Sequence, residues 1–192
     1  MVKNSFDRGP EGWCTYDYHA SVIAGNEMYF MTTWQRNGGV NDSGYIFTDH
    51  YRWSADTPEN PVSILALLHY HPWVGGDPID LRDTEVSCYL RGDGLNLNTA
   101  KCYFWVNILG NRWHLHSQPI PISDGRWADA PTVLRLTVDE SKWYRSWSHD
   151  PDRPARLADV LARAASYGFS FVGFGSEVTG RLSLDEFEIR TR

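Results

Sequence analysis

Residues 102–118 read CYFWVNILGNRWHLHSQ, in which two alternating runs flank the pair Gly110-Asn111. A glycine followed by asparagine favours a two-residue hairpin loop of type II′. That turn predicts a register that pairs Asn107 with His114 and Trp105 with His116. Because side chains alternate between the faces of a strand, the register assigns each residue of the hairpin to one of two faces.

One predicted face of the hairpin is apolar, and the other mixes aromatic rings with polar groups. The apolar face is a candidate core face and carries Cys102, Phe104, Val106, Ile108, Trp113 and Leu115. The mixed face carries Tyr103, Trp105, Asn107, Arg112, His114, His116 and Gln118. The neighbouring run EVSCYLRG (85–92) extends the mixed face with Tyr89 and Arg91 if it lies beside the hairpin.

The residue types of the mixed face suit a sugar, whose C–H face stacks on an aromatic ring while fixed polar groups bind its hydroxyls. The alternative is the ordinary solvent face of an antiparallel sheet. Trp105 favours a ligand, because a large ring facing water is disfavoured. The predicted ligand-binding residues are Tyr89, Arg91, Tyr103, Trp105, Asn107, Arg112, His114 and His116.

Strand-like runs recur along the whole chain and are separated by turn-forming segments such as RGDGLN (91–96) and Gly110-Asn111. Many short strands at even spacing indicate a β-sandwich or barrel. One α-helix is predicted near residues 155–166, because Leu157, Val160, Leu161 and Ala164 have helical spacing. The preceding segment 141–152 is predicted to be a loop that packs over an edge of the sandwich.

The 192 residues fit a single domain, 1–192. The net charge of −6 leaves no basic footprint for nucleic acid and disfavours polyanionic glycans, so a small neutral glycan or other small molecule is expected as the partner. No apolar run is long enough for a membrane span. The start, MVKNSFDRGPEGW, has no apolar signal segment, so we expect a cytoplasmic protein unless the chain begins after processing.

Three cysteines form no CxxC motif, and no nucleotide fingerprint occurs, so no organic cofactor is expected. Cys88 and Cys102 fall at apolar positions of neighbouring predicted strands. A disulfide between them and a pair of small buried thiols both fit this pattern.

Both ends of the chain resemble known jelly-roll modules. NSFDRGPEGW (4–13) is similar to the opening of jelly-roll carbohydrate-binding modules, and RLSLDEFEI (181–189) is similar to their closing strand. Between them, PVSILALLHYHPW, DLRDTEVSCYLRGDGLNL and ARLADVLARAASYGFSFVGF resemble the laminin IV type A (laminin B) domain. The resemblance implies an all-β, antiparallel jelly-roll β-sandwich of the galactose-binding-like type.

The same resemblance implies a structural Ca²⁺ between the first and last strands. By position, Asp7 and Asp185 are the candidate ligands, and Glu186 replaces Asp185 if the strand bulges there. The alternative is that Asp185 caps a turn. The Trp-rich 141–149 segment and the two HxH pairs depart from the laminin pattern.

Two further motifs suggest a metal site and an adhesion site. HYH (69–71) and HLH (114–116) each place two imidazoles on one strand face, as metal sites do, but no cupin-like glutamate follows either pair. RGD (91–93) matches a three-residue integrin-binding motif, but a match this short occurs often by chance. A role of Asp93 in a turn is favoured over adhesion.

The sequence therefore predicts non-catalytic recognition of a neutral glycan on an aromatic-lined concave sheet. The alternative is a small lyase or cyclase that uses His114 or His116 as general base, with Tyr103 and Arg112 assisting. A third hypothesis is a structural or adhesive, laminin-like role without a small-molecule ligand.

Overall fold

Two β-sheets pack face to face in the computed structural model of the chain, which describes residues 1–16, 21, 23–25, 28–55, 63–173, 175 and 177–192. Among these residues each sheet has seven strands, and neighbouring strands are antiparallel except for one short pair. Apolar side chains from both sheets form a shared core. The predicted all-β, antiparallel sandwich is confirmed.

The first sheet has β10, β7, β14, β5 and β4 in spatial order, while β1 also pairs with β14 and β11 also pairs with β7. Their bounds are β1 (Val2–Asn4), β4 (Thr33–Gln35), β5 (Tyr45–Asp49), β7 (Thr84–Asn96), β10 (Ser123–Asp124), β11 (Thr132–Leu136) and β14 (Thr179–Thr191).

The second sheet has the order β12, β9, β8, β13, β6, β2, β3. Its strands are β2 (Trp13–Tyr16), β3 (Tyr29–Met31), β6 (Ser63–Tyr70), β8 (Lys101–Ile108), β9 (Asn111–His114), β12 (Tyr144–Ser148) and β13 (Ser166–Val172). The chain changes sheet between β5 and β6, between β6 and β7, and between β7 and β8, which gives the jelly-roll connectivity.

The core between the sheets is rich in aromatic rings. Trp13 contacts Phe187 edge-to-face with 4.9 Å between ring centroids, and Tyr167 stacks on Phe187 at 5.5 Å. Cys88 of the first sheet and Cys102 of the second are buried in this core as free thiols. The buried-thiol interpretation therefore holds and the disulfide does not, because both cysteines are free. Burial raises the pKa of the Cys88 thiol to about 12.

The hairpin of β8 and β9 has the predicted faces but a different register. Its turn residues are Leu109 and Gly110, both with positive φ (45° and 71°), as a type I′ turn requires. Trp105 therefore pairs with His114, and Asn107 with Arg112. The shift is two residues, and because faces alternate with a period of two, the side chains within β8 and β9 stay on their predicted faces. His116 and Gln118 lie beyond the end of β9, in a turn and a bend, and so do not belong to that face.

The helix is shorter than predicted. α1 (Leu157–Ala162) buries Leu157, Val160 and Leu161 as expected, but the backbone leaves the helix at Arg163 and β13 begins at Ser166. Gly168 lies within β13, where a Cβ would come within 2.1 Å of the Leu67 carbonyl oxygen, so it serves close strand packing. Helical conformation also occurs at Ser21, Ile23 and Ala24, which was not predicted.

Two predicted irregular segments are strands. RGDGLN (91–96) is the end of β7, and Arg91 pairs with Asp93 within that strand, so the predicted turn role of Asp93 is wrong. The predicted loop 141–152 contains β12, which pairs with β9 and forms an edge of the second sheet. A helix long and apolar enough to span a membrane is absent from the described residues.

Candidate functional site

A cleft of about 720 Å³ lies on the outer face of the second sheet. This volume falls in the range of small-molecule sites in proteins. The lining comes from the seven strands of this sheet and from the segments next to them: Tyr16, Tyr29, Leu65, Leu68, Tyr70, Pro72, Pro78, Trp105, Asn107, Ile108, Leu109, Gly110, Arg112, Trp147, His149, Arg163, Ala165 and Ser166.

The floor of the cleft is apolar and closely packed. Trp105 is only 2% exposed and packs with Leu65, Leu68 and Cys14 in a small cluster separate from the main core. In the sheet register Gly168 lies between Trp105 and Leu68, and its lack of a side chain lets β13 approach the backbone of β6 closely. The floor is therefore rigid and depends on the packing of Trp105.

A bulge in the pairing of β6 with β13 explains why two leucines share this floor. Phe169 pairs with Leu67, but Phe171 pairs with Ile64, so the register shifts by one residue between them. Without the bulge, Leu65 and Leu68 would face opposite sides of the sheet, because faces alternate along a regular strand.

A polar row crosses the sheet beside the floor. In register order it runs from Arg112 on β9 through Asn107 on β8 and Ser166 on β13 to Tyr70 on β6. The Asn107 amide donates to the Ser166 hydroxyl at 3.2 Å, and Arg112 Nε donates to Ser146 Oγ at 3.1 Å. These bonds hold an amide, a hydroxyl and a guanidinium in fixed positions along the cleft.

Tyrosines form one wall of the cleft. Tyr29 lies at the centre, with ring-centroid distances of 5.6 Å to Tyr16 and 5.5 Å to Tyr70. The rings are tilted against one another by 55° and 37°, so the wall is curved.

Trp147 on β12 forms the opposite wall and is 40% exposed. Its position depends on Gly110 in the hairpin turn, because a Cβ there would come within 2.8 Å of Trp147 Cζ3. His149 N–H donates to the Gly110 carbonyl at 2.8 Å and fixes the end of β12 to the turn. The hairpin turn thus places the tryptophan ring at the mouth of the cleft.

The described lining carries basic groups at Arg112, Arg163 and His149 and no aspartate or glutamate. The positive charge of the lining differs in sign from the net charge of the chain, which is −6.

Three of the predicted ligand residues, Trp105, Asn107 and Arg112, line the cleft together. Trp105 is buried beneath it, however, and is not the exposed platform that was predicted. Tyr103 shares the face but does not line the cleft.

The two histidines of the hairpin also lie outside the cleft. His114 is buried, with Nε2 at 2.7 Å from Ser170 Oγ, and His116 is exposed. Burial, with a smaller contribution from the Arg112 charge, lowers the pKa of His114. The predicted catalytic set of His114, His116, Tyr103 and Arg112 is therefore not assembled in the cleft.

The predicted placement of Tyr89 and Arg91 beside the hairpin is wrong, because β7 belongs to the first sheet. The Arg91 guanidinium lies over two rings there, 4.8 Å from the centroid of Tyr45 and 4.5 Å from that of Trp127. It also donates to the Asp93 carboxylate and to the Gly38 carbonyl.

Several lining residues were missed from the sequence, and for identifiable reasons. Tyr70 belongs to the HYH motif, which indicates its histidines rather than its tyrosine, and the β6 bulge is not visible in the sequence pattern that would show which side chains share a face. Ser166 was assigned to the helix. Trp147 was noted in the Trp-rich segment, but only pairing of β12 with β9 brings it to the cleft.

The residues proposed for calcium do not fit a cation. One Asp185 carboxylate oxygen accepts from Val40 N–H at 2.7 Å and from Ser43 Oγ at 2.8 Å, and the other accepts from Glu186 N–H at 2.7 Å. N–H and O–H donors therefore occupy the positions around both carboxylate oxygens that a cation would need. Asp7 is exposed and accepts from the Ser5 hydroxyl. A bulge at Glu186 does occur, with φ of 46°, but the Glu186 carboxylate faces Lys3 at 4.0 Å.

The two HxH pairs lie on opposite sides of the second sheet. The rings of His69 and His71 are 4.8 Å apart and pack on Tyr167 in the core. His114 faces outward beside Trp105. Within the described ranges no group of three His, Cys, Asp or Glu residues could hold a metal ion.

Comparisons with known proteins give matches only among solved structures, since no protein-family model and no curated protein matches the chain. One match is the carbohydrate-binding module CtCBM11, with a TM-score of 0.48, 11% identity, and coverage of 100% of this chain and 96% of that chain. The K1 cleaved adhesin domain of Lys-gingipain from Porphyromonas gingivalis W83 matches with a TM-score of 0.46, 14% identity, and coverage of 100% and 98%. The non-crystalline cellulose specific carbohydrate-binding module CBM28 matches with a TM-score of 0.44, 10% identity, and coverage of 99% and 93%.

Proposed function

We propose that the protein binds a carbohydrate in the cleft without catalysis, and that the ligand is a neutral glycan. The observation that carries this proposal is the combination in one cleft of partly exposed aromatic rings with a row of fixed polar groups. A sugar needs both, because its C–H face is apolar and its edge carries hydroxyls.

The two kinds of group have separate roles. Trp147 and Tyr29, on opposite walls, offer rings for the faces of the sugar. Asn107, Ser166 and Arg112 offer donors and acceptors for the hydroxyls at the floor. Because the floor is packed and the polar row is internally hydrogen-bonded, little ordering is required when the ligand binds.

The neutral character of the ligand is supported by the net charge of −6, which repels a polyanionic chain at long range. Guanidinium groups bind neutral hydroxyls as well as acids, since each carries five N–H donors.

The alternative of a lyase or cyclase that uses His114 or His116 as its base is not supported, because neither residue lines the cleft. A general base must reach the ligand, and His114 is buried and bonded to Ser170. A glycoside hydrolase needs two carboxyl groups, and the described lining has none.

The proposal is tested with a panel of soluble polysaccharides, including cellulose derivatives, xylan, mannan, galactan, starch and the acidic pectate. Binding is measured by affinity electrophoresis and by calorimetry with the matching oligosaccharides. We expect binding to at least one neutral glycan, and Asn107→Ala weakens it by about 3- to 10-fold, the loss of one hydrogen bond.

Gln118→Ala is the matched control, because Gln118 belongs to the predicted mixed face but lies outside the cleft lining. Its affinity for the glycan is expected to equal that of the wild type. No binding to any glycan, or release of shortened products during incubation, contradicts the proposed function.

A further inference from the structure

We propose a second sugar subsite at Trp73, outside the cleft, so that the ligand is a linear oligosaccharide chain that crosses the cleft and leaves it past this ring. The inference rests on the proposed function and adds the shape of the ligand to it.

Trp73 lies just beyond the tyrosine wall. It belongs to the short 3-10 turn His71–Val74 that follows β6, and it is 43% exposed. Its ring centroid is 5.9 Å from that of Tyr29, with the two planes 34° apart. Tyr29 and Pro72 line the cleft and Trp73 does not, so its ring continues the wall outward from the cleft.

The turn that carries Trp73 is held by the rest of the fold. His71 N–H donates to the Ala165 carbonyl at 2.9 Å, and Gly76 N–H donates to the His71 carbonyl at 2.8 Å. Val74 lies over Gly12, where a Cβ would come within 2.6 Å of Val74 Cγ1. The turn that carries the exposed ring is therefore held in place before any ligand binds, which lowers the entropy lost on binding.

The length of the aromatic track indicates a chain. Trp147 on β12 pairs with Arg112 at one end of the polar row, and Tyr70 on β6 is its other end. Four strand spacings separate these strands, a distance of roughly 19 Å. Steps of 5.5 Å from Tyr70 to Tyr29 and 5.9 Å from Tyr29 to Trp73 extend the track further.

A single sugar cannot contact rings at both ends of this track. Isolated exposed aromatic residues are common on protein surfaces and need no ligand. Trp73 differs from these because it is continuous with the cleft through Tyr29. The occupant that fits is the outer part of the chain whose inner part fills the cleft.

The test is a length series of cello-, xylo-, manno- and galacto-oligosaccharides from two to six units, titrated calorimetrically. For the series that binds, the wild type is expected to gain affinity up to the longest chains. Trp73→Ala should weaken binding of the hexasaccharide by about 5- to 10-fold, the contribution of one stacked ring, and leave the disaccharide unchanged.

Trp73→Leu is the second variant, because it keeps an apolar side chain on the turn without a flat ring, and the same length-dependent loss is expected. Tyr51→Ala is the matched control, since Tyr51 is 87% exposed and lies outside the cleft lining. All variants should melt at the wild-type temperature within a few degrees.

Two results overturn the subsite. Equal affinities of Trp73→Ala and wild type at every chain length exclude contact with Trp73 and leave the proposed function intact. An equal loss at every length makes Trp73 part of the cleft rather than a separate subsite. If the wild type binds neither these oligosaccharides nor any polysaccharide of the panel, the proposed function itself fails, together with the subsite.

Discussion

The outer faces of the two sheets are both rich in aromatic rings, but the rings meet different partners. On the first sheet Arg91 covers Tyr45 and Trp127, and Arg181 lies 3.9 Å from the ring centroid of Phe47. On the second sheet Trp147 is 40% exposed beside a cleft, and the cation–π contacts of the described residues do not include it.

This difference shows that aromatic content alone does not mark a sugar site. A ring already covered by a guanidinium stabilises the protein, because the cation is attracted to the face that a sugar would need. A ring held open beside fixed polar groups is available to a ligand. The prediction that grouped Arg91 with the hairpin residues did not make this distinction.

The cleft on the second sheet depends first on its rigid floor, and Trp105→Ala would remove the largest side chain of that floor. Because Trp105 is 2% exposed and packs with Leu65 and Leu68, we expect a loss of about 3–5 kcal/mol in the free energy of unfolding. Urea denaturation measures this loss. A change in the free energy of unfolding below about 1 kcal/mol would indicate that Trp105 is exposed at the surface, as the sequence predicted.

The imidazoles of His69 and His71 are buried in the core against Tyr167, and acid should weaken the fold through them. Burial, followed by the charge of His71, lowers the pKa of His69 from 6.5 to about 4. Between these values the unfolded chain binds a proton at His69 that the folded chain does not. The stability of the folded state therefore falls as pH falls through this window.

The variant His69→Gln isolates this contribution, because every other titrating group is shared with the wild type. The stability disadvantage of the variant should shrink by about 3 kcal/mol between pH 7 and pH 4, as the wild type loses the contribution of His69. Urea titrations at a series of pH values measure the difference. A constant difference across the pH range would show that His69 titrates normally.

Trp127→Ala tests the covered rings of the first sheet. Trp127 contacts the Arg91 guanidinium and donates its indole N–H to the Gly38 carbonyl at 2.9 Å. Losing both contacts should cost about 1–2 kcal/mol of stability. Glycan affinity should not change. A loss of affinity with unchanged stability would reverse the roles assigned to the two faces.

Much of the fold follows from local sequence patterns. The alternation in β7 and β8 predicts their buried faces, and the spacing of Leu157, Val160 and Leu161 predicts the buried side of α1. The hairpin faces survive a two-residue error in register because side chains alternate with the same period. What local patterns do not contain is the sheet to which each strand belongs, and the assignment of Tyr89 and Arg91 failed on that point.

The site was predictable only in part. Trp105, Asn107 and Arg112 share a strand face within one hairpin, so local alternation brings them together. Tyr29, Tyr70 and Trp147 reach the cleft from three other strands, through pairings distant in sequence and one bulge. The prediction that Trp105 is exposed was wrong, because Leu65 and Leu68, which pack on it in the floor, also come from a distant strand.

The most direct test of the account is the glycan affinity of Trp147→Ala compared with that of Trp127→Ala. Calorimetric titration with the glycan that binds the wild type should show at least a 10-fold loss for Trp147→Ala, because the proposed stacking contact is removed. The free energy of unfolding should fall by no more than about 2 kcal/mol, because the ring is 40% exposed and packs only on the hairpin turn and His149. Trp127→Ala should bind as the wild type does. Wild-type affinity in Trp147→Ala would contradict the claim that open rings beside the cleft recognise the sugar.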